Sequence, residues 1–440
     1  MKNCMRLLIC FMLLTINAFM QEKPLTLQEC IQVALDKNPQ LHINKLNLQA
    51  AKEGIRGSYA SRPGYGGILP QIGLSSSVKR STQGASEYIL NNMLFPKGDT
   101  TTNYFEFGLG LQQNIYDGGK SWKNVKLARL GYNQTERENT FQTKSIIADV
   151  TEKFYTLLKA QELLKVYQVA LQNGQEQLKK TDEMFRIGQV AKKDLYKAQV
   201  NEGNTRLNVI QQQAQVKLAL DDLKKAMGIT ADSYLAIIEE SYQLPQVFDR
   251  EVAIQQALQR NPNLQILHIQ KESAWLNYKI AKGDLFPDIT ASFGYNRSGP
   301  EMARLYSDFD KWWNTSLSLN ISYSIFQGFY RKANIQQKYL NYQTYDDQIL
   351  QQRLELINQI DNLLLSINTY LQMIEINELN IASAKEDLRL QQEMYRLNAA
   401  TLLEVLDAQV ALTKAQGDLV STKYDAKIAE VKLALLIGTL

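Results

Sequence analysis

The sequence predicts a mainly helical, internally duplicated chain in which long antiparallel helices carry four membrane β-strands. Three observations lead there: a repeat, four two-residue alternations, and two long proline-free stretches. At an offset of 210 residues Ile115-Tyr116-Asp117-Gly118 answers Ile325-Phe326-Gln327-Gly328, Phe185-Arg186-Ile187 answers Tyr395-Arg396-Leu397, Ala198-Gln199 answers Ala408-Gln409, and Gly228 answers Gly438. Nearer the start of each copy the offset is 223, pairing Ala34-Leu35 and Asn38-Pro39 with Ala257-Leu258 and Asn261-Pro262. The first copy carries extra residues around Pro63 to Gly67, an insertion of the kind loops absorb.

Taken from the start, residues 1–20 read as a secretory signal: Lys2 and Arg6 are positive, Leu7 to Leu14 are apolar, and Ala18 is small. The first repeat is expected over 21–228, a linker over 229–247, and the second repeat over 248–440. Mean hydropathy of −0.31 and 45% hydrophobic residues favour an extended, surface-rich architecture. Without Lys2 and Arg6 the chain holds 47 basic and 45 acidic residues, a balance that gives no reason to expect nucleic acid as a partner. Only Cys30 lies beyond the signal, so no internal disulfide is expected there.

Short helices are expected at Leu27 to Asp36 and Val252 to Arg260, each stopping before an Asn-Pro. The first β-hairpin, about 68–116, alternates Ile72, Leu74 and Val78 in one strand and Phe105, Phe107, Leu109, Leu111 and Ile115 in the other. A polar loop from Ser81 to Asn103 joins them. The second, about 286–326, alternates Ile289, Ala291, Phe293 and Tyr295, then Leu317, Leu319, Ile321, Tyr323 and Ile325, with a loop from Arg297 to Trp312. Periodicity alone also fits a sandwich with one wet face. Two hairpins far apart and flanked by helices fit transmembrane strands of about 9–11 residues better. Beyond the signal no apolar run reaches the roughly 20 residues of a spanning helix, so strands are the available way across a bilayer.

All nine prolines lie outside Lys97–Leu244 and Glu301–Leu440. Leu157, Leu164, Leu171, Leu178 and Phe185 recur every seven residues, the narrow stripe of a coiled-coil seam. A helix from Gly119 to Ile187 would run for roughly 100 Å. Gly188 ends it, a second helix follows from Lys192 to Met227, and Gly228 stops that one. In the second copy Asn398 takes the place of Gly188, giving long helical hairpins over about 119–228 and 329–438. Gly118, Gly119 and Gly328 supply the backbone freedom to pass from strand to helix.

No catalytic constellation emerges, and the chain is read as a non-enzyme without cofactor or metal. Gly119-Lys120-Ser121 ends like a phosphate loop, but Asn114 stands where such a loop needs its first glycine. His42 and His268 are the only histidines, and neither has carboxylate or cysteine neighbours at ligand spacing. Glu404 and Asp407 lie three apart on one helix face; they are either solvated charge or, in a symmetric assembly, rings of carboxylates around an entrance. Four strands cannot close a barrel, so the chain is expected to oligomerise.

Together the Leu25-Thr26-Leu27 to Asn38-Pro39 stretch, its echo from Ala257 to Pro262, Leu69-Pro70, Phe286-Pro287, Tyr116-Asp117-Gly118-Gly119 and the segments Phe185–Gln199 and Tyr395–Gln409 resemble the TolC-like outer-membrane efflux proteins, the outer membrane factors. The resemblance spans essentially the whole chain beyond the signal. It implies a homotrimer whose 12-stranded barrel sits in outer membrane lipid of a Gram-negative cell, with an α-barrel tunnel in the periplasm. It further implies a periplasmic adaptor (membrane fusion protein) and an inner-membrane transporter as partners, in efflux or type I secretion. By resemblance Glu404, Asp407, Asp194 and Tyr395 form a periplasmic gate, while Ala400 stands where better-known members carry a gating arginine. Phe185, Gly188, Val190, Asn398 and Leu402 are candidates either for adaptor contact or for plain helix-turn packing. The competing function class is a barrel-anchored coiled-coil adhesin or spacer.

Overall fold

The computed structural model describes residues 24–60, 67–90, 93–238, 242–246, 248–397 and 399–439. The signal, most of the insertion near Pro63, and Asn398 lie outside the described residues. Among the described residues six strands and eight α-helices run in the order α1 (Leu27–Lys37), α2 (Pro39–Ser58), β1 (Gln71–Gln83), β2 (Ser86–Leu90), β3 (Met93–Lys97), β4 (Thr100–Tyr116), α3 (Lys120–Arg186), α4 (Lys192–Met227), α5 (Arg250–Arg260), α6 (Pro262–Gly283), β5 (Asp288–Gly299), β6 (Trp313–Ser322), α7 (Tyr330–Arg396) and α8 (Leu402–Ile437). The duplication is carried into lengths: α3 and α7 have 67 residues each, and α4 and α8 have 36 each. Among the described residues no helix is long and apolar enough to cross a membrane.

Two compact units form, and they are not the two repeats. One takes residues 45–138 and 263–351, the other residues 1–44, 139–262 and 352–440. Each therefore draws on both copies, because corresponding elements of the copies lie side by side and share one sheet or one core.

The strand unit holds an antiparallel sheet in the order β1-β4-β5-β6. Its register aligns the alternations into rows: Ile72 pairs with Leu111, Leu111 with Phe293, and Phe293 with Leu317. On the opposite face Gln71, Gln112, Ser292 and Ser318 form an equivalent polar row, with a 2.7 Å hydrogen bond between the last two hydroxyls. The apolar face is bare, with Leu74 70% and Leu317 82% exposed.

The connections differ from the expected loops. Between Ser81 and Asn103, β1 continues to Gln83, β4 starts at Thr100, and a β2–β3 hairpin stacks Tyr88 on Phe95 at 5.7 Å. Polar side chains did not end these strands, since ladder bonding needs only backbone and Thr82 and Thr101 pair hydroxyls across it at 3.2 Å. β5 likewise runs past Arg297 to Gly299, before a 3₁₀ turn at Met302–Leu305. Conversely, β6 stops at Ser322 although the alternation continues to Ile325. Its partner strand begins at Asp288, and the residue before that is Pro287, which has no N–H to extend the ladder.

The helical unit packs Phe154, Leu157, Leu158, Leu223 and Met227 around Cys30 and Ala34 of α1. Leu164, Leu171, Leu178 and Phe185, later in the heptad stripe, are half-buried. Each Asn-Pro closes one helix and opens the next: Asn38 and Asn261 cap α1 and α5, and Pro39 and Pro262 start α2 and α6. The same side chains reach across the repeat in parallel ways. Asn38 Nδ2 donates to the Ala226 carbonyl at 2.9 Å and Asn261 Nδ2 to the Leu436 carbonyl at 3.4 Å, each acceptor two residues before the left-handed glycine Gly228 or Gly438. Asn38→Ala and Asn261→Ala should each cost about 1–2 kcal/mol, because the freed carbonyl is a helix-end acceptor. Melting of the purified variants against the parent measures it.

Candidate functional site at the helix reversals

Both helical hairpins reverse through the same hydrogen bonds. Gln189 N–H donates to Met184 O at 2.8 Å and Ala399 N–H to Met394 O at 2.8 Å, positions 210 apart. In the first copy Gly188, at φ +77°, also donates to Phe185 O at 2.9 Å, completing a Schellman motif.

The helices that follow start differently. α4 begins after Ala191, which offers no side-chain cap. α8 begins with a capping box: the Glu404 carboxylate accepts from Thr401 N–H at 2.6 Å and its hydroxyl at 2.9 Å, while Glu404 N–H donates back to Thr401 Oγ1 at 3.4 Å. The backbone bond first, and the hydroxyl second, hold the Glu404 carboxyl below its ordinary range. Its carboxylate form thus stabilises the start of α8 above the ordinary glutamate value, and that support is lost as pH falls through the lowered one. Asp407, one turn on, is exposed and has no ion pair among the described residues.

Beneath these carboxylates Leu402, Leu406 and Ala198 form a small core against Leu178 and Tyr395, and Tyr395 also touches the Leu388, Val405 and Ala408 cluster. The Tyr395 hydroxyl is buried without a hydrogen-bond partner among the described residues. Burial first, and the Asp194 carboxylate second, push its pKa up. The two hairpins meet through Leu178 and Ala198 against Tyr395, Leu402 and Leu406, and Asp194 reaches Tyr395 only through its charge. No hydrogen bond or ion pair among the described residues joins either of them to Glu404 or Asp407.

Of the expected contact residues, Phe185 and Val190 are half-buried and Gly188 is exposed. Leu402 follows the packing alternative in this chain: it is only 2% exposed, because helix phase puts it in one stripe with Val405, Leu406 and Gln409 facing the core. Ile187 and Leu397, equivalent residues at the two reversals, are instead 68% and 70% exposed. In the sequence their only signal is equivalence in the repeat, one residue after Arg186 and Arg396. The strand-to-helix glycines Gly118, Gly119 and Gly328 adopt φ of +69°, +75° and +58°.

A sheet with a bare apolar face and two 67-residue helices in one chain are the parts of an outer-membrane channel fold. The chain belongs to the outer membrane efflux protein family, whose model matches residues 30–229 and 253–439. Outer membrane protein TolC of Escherichia coli (strain K12) is 22% identical over 451 residues, spanning 100% of this chain and 87% of the relative. Cation efflux system protein CusC of Escherichia coli O157:H7 is 22% identical over 426 residues, 93% of this chain and 85% of its own. The crystal structure of outer membrane protein VceC from Vibrio cholerae superposes with a TM-score of 0.79 at 18% identity, over 94% of this chain and 96% of that one.

Proposed function

We propose that three copies of this chain close a 12-stranded outer-membrane barrel and form the exit duct of a tripartite efflux or type I secretion system. The observation that carries this is the sheet itself. Among the described residues β1 and β6 are each hydrogen-bonded on one side only, while the face between them is apolar and bare. Unpaired backbone is not tolerated in hydrocarbon, so β1 of one copy must pair with β6 of another until the barrel closes. Family membership supports efflux as the activity.

In this reading the helical hairpins stand in the periplasm, and Glu404 and Asp407 ring the entrance. Asp194 and Tyr395 hold neighbouring hairpins together in the closed state. A periplasmic adaptor, coupled to an inner-membrane transporter that supplies the energy, docks at Phe185, Gly188 and Val190 together with the exposed Ile187 and Leu397. No bond is made or broken in the cargo.

Light scattering of the purified protein should give three chains per particle, and planar bilayers should show ion conductance. A stable monomer that never conducts would sink the proposal.

A further inference from the structure

The last turns of α6 carry a cation-bearing aromatic cluster. Trp275 and Tyr278 meet Tyr342 and Tyr339 of α7, with ring centroids 5.0 Å and 5.3 Å apart. Three ammonium groups lie over these rings: Lys271 over Tyr342 at 5.4 Å, Lys279 over Trp275 at 4.9 Å and Lys282 over Tyr278 at 5.5 Å. Lys271 is paired with Asp346. Lys279 and Lys282 are exposed and have no ion pair among the described residues. Nearby lysines are committed elsewhere, Lys120 to Asp284 and Asp288, and Lys126 to Glu272.

These lysines stand at the helical foot of the sheet. The register shift between Asn114 and Tyr116 sets Tyr116 opposite Ile289 on the apolar face, and Phe286 meets Tyr116 edge-on at 6.4 Å. Leu285, Phe286 and Trp122 are exposed around that point. From sheet to helix the order is apolar strand face, aromatic rim, then unpaired lysines, which is the order of hydrocarbon, interface and phosphate layer in a leaflet. The Lys126–Glu272 salt bridge to α3 and the ring contacts to α7 flank α6 with elements of its own chain, whereas a second copy would join at the sheet edges β1 and β6. Close by, burial pushes the Lys123 ammonium below its usual range against the pull of Asp117, with Lys279 and Lys120 adding to the lowering.

We propose that Lys279 and Lys282, seated on Trp275 and Tyr278, bind the phosphodiester headgroup of an anionic phospholipid in the leaflet bordering the helical end of the sheet. This rests on the reading that the sheet spans the membrane. The ring faces are already occupied by ammonium groups, so the cluster does not receive a choline cation as an empty aromatic cage does. It presents two unpaired positive charges to an anion.

The test places the full-length protein in phosphatidylcholine nanodiscs containing phosphatidylglycerol and counts retained lipids by native mass spectrometry. The parent should retain phosphatidylglycerol over phosphatidylcholine, and K279Q/K282Q should weaken that retention by about fivefold per lysine. K179Q/K180Q removes the same charge from exposed positions of the other unit and should leave retention unchanged. Equal retention of both lipids, parental retention in K279Q/K282Q, or an equal loss in K179Q/K180Q overturns the headgroup site. Failure of the folded parent to enter the discs overturns the membrane reading itself.

Discussion

Gly118→Ala should destabilise the protein by about 2–5 kcal/mol, the left-handed backbone cost and an overpacked contact acting together. Gly118 has φ +69°, and a methyl there would run into the backbone carbonyl and Cα of Gly283, where α6 ends. Neither neighbour is a side chain that can swing away. Gly119, at φ +75°, faces only the mobile Lys123 Nζ at 3.1 Å, and Gly188, at φ +77°, has open space. Alanine at those two positions should cost only the backbone term, about 1–2 kcal/mol. Melting of the three single variants in one detergent ranks them. A Gly118→Ala no worse than Gly188→Ala would show that strand foot and helix end do not meet as closely as described.

The helices were legible because their signals are local. Proline-free length, Gly188 and Gly228 mark α3 and α4 from composition and turn chemistry alone. By contrast, α2 and α6 were invisible, since a single asparagine separates each from the helix before it and Pro39 and Pro262 looked like stops rather than first residues. The β2–β3 hairpin and the extensions of β1 and β4 were hidden for another reason. Alternation reveals a strand only where one face is apolar, and residues such as Ser81, Thr82, Thr101 and Thr102 are polar on both. The end of β6 was overrun because the pattern lay in one strand while its limit, Pro287, lay beside the partner.

Around the reversals, residue type was readable and orientation was not. The T-x-x-E box at Thr401 and Glu404 is a sequence signal, and it gives Glu404 a structural task that an acidic-ring reading overlooks. The buried stripe of Leu402, Val405, Leu406 and Gln409 is present as a helical period, while nearness to a turn leaves both contact and packing open for Leu402. The packing of Leu178 and Ala198 against Tyr395 and Leu406 joins two hairpins from different repeats, a contact no local pattern encodes.

Removing the carboxylates at the start of α8 should weaken block of the conducting protein by a trivalent cation by about tenfold or more, because three copies would concentrate six negative charges at one constriction. The two residues should not contribute equally. Glu404 spends its carboxylate on Thr401 N–H and Oγ1, whereas Asp407 is exposed with no such partner. Asp407→Asn should therefore raise the half-blocking concentration more than Glu404→Gln, and the glutamine can still accept from Thr401, so the cap survives. The lowered Glu404 keeps its charge below the ordinary glutamate value of 4.5, so block in Asp407→Asn should persist to a lower pH than an ordinary glutamate allows. Titrating the cation across planar bilayers at several pH values reads both effects. A block governed by Glu404 alone would overturn the unequal roles, and one unchanged in the double variant would mean that the cations bind elsewhere in the duct.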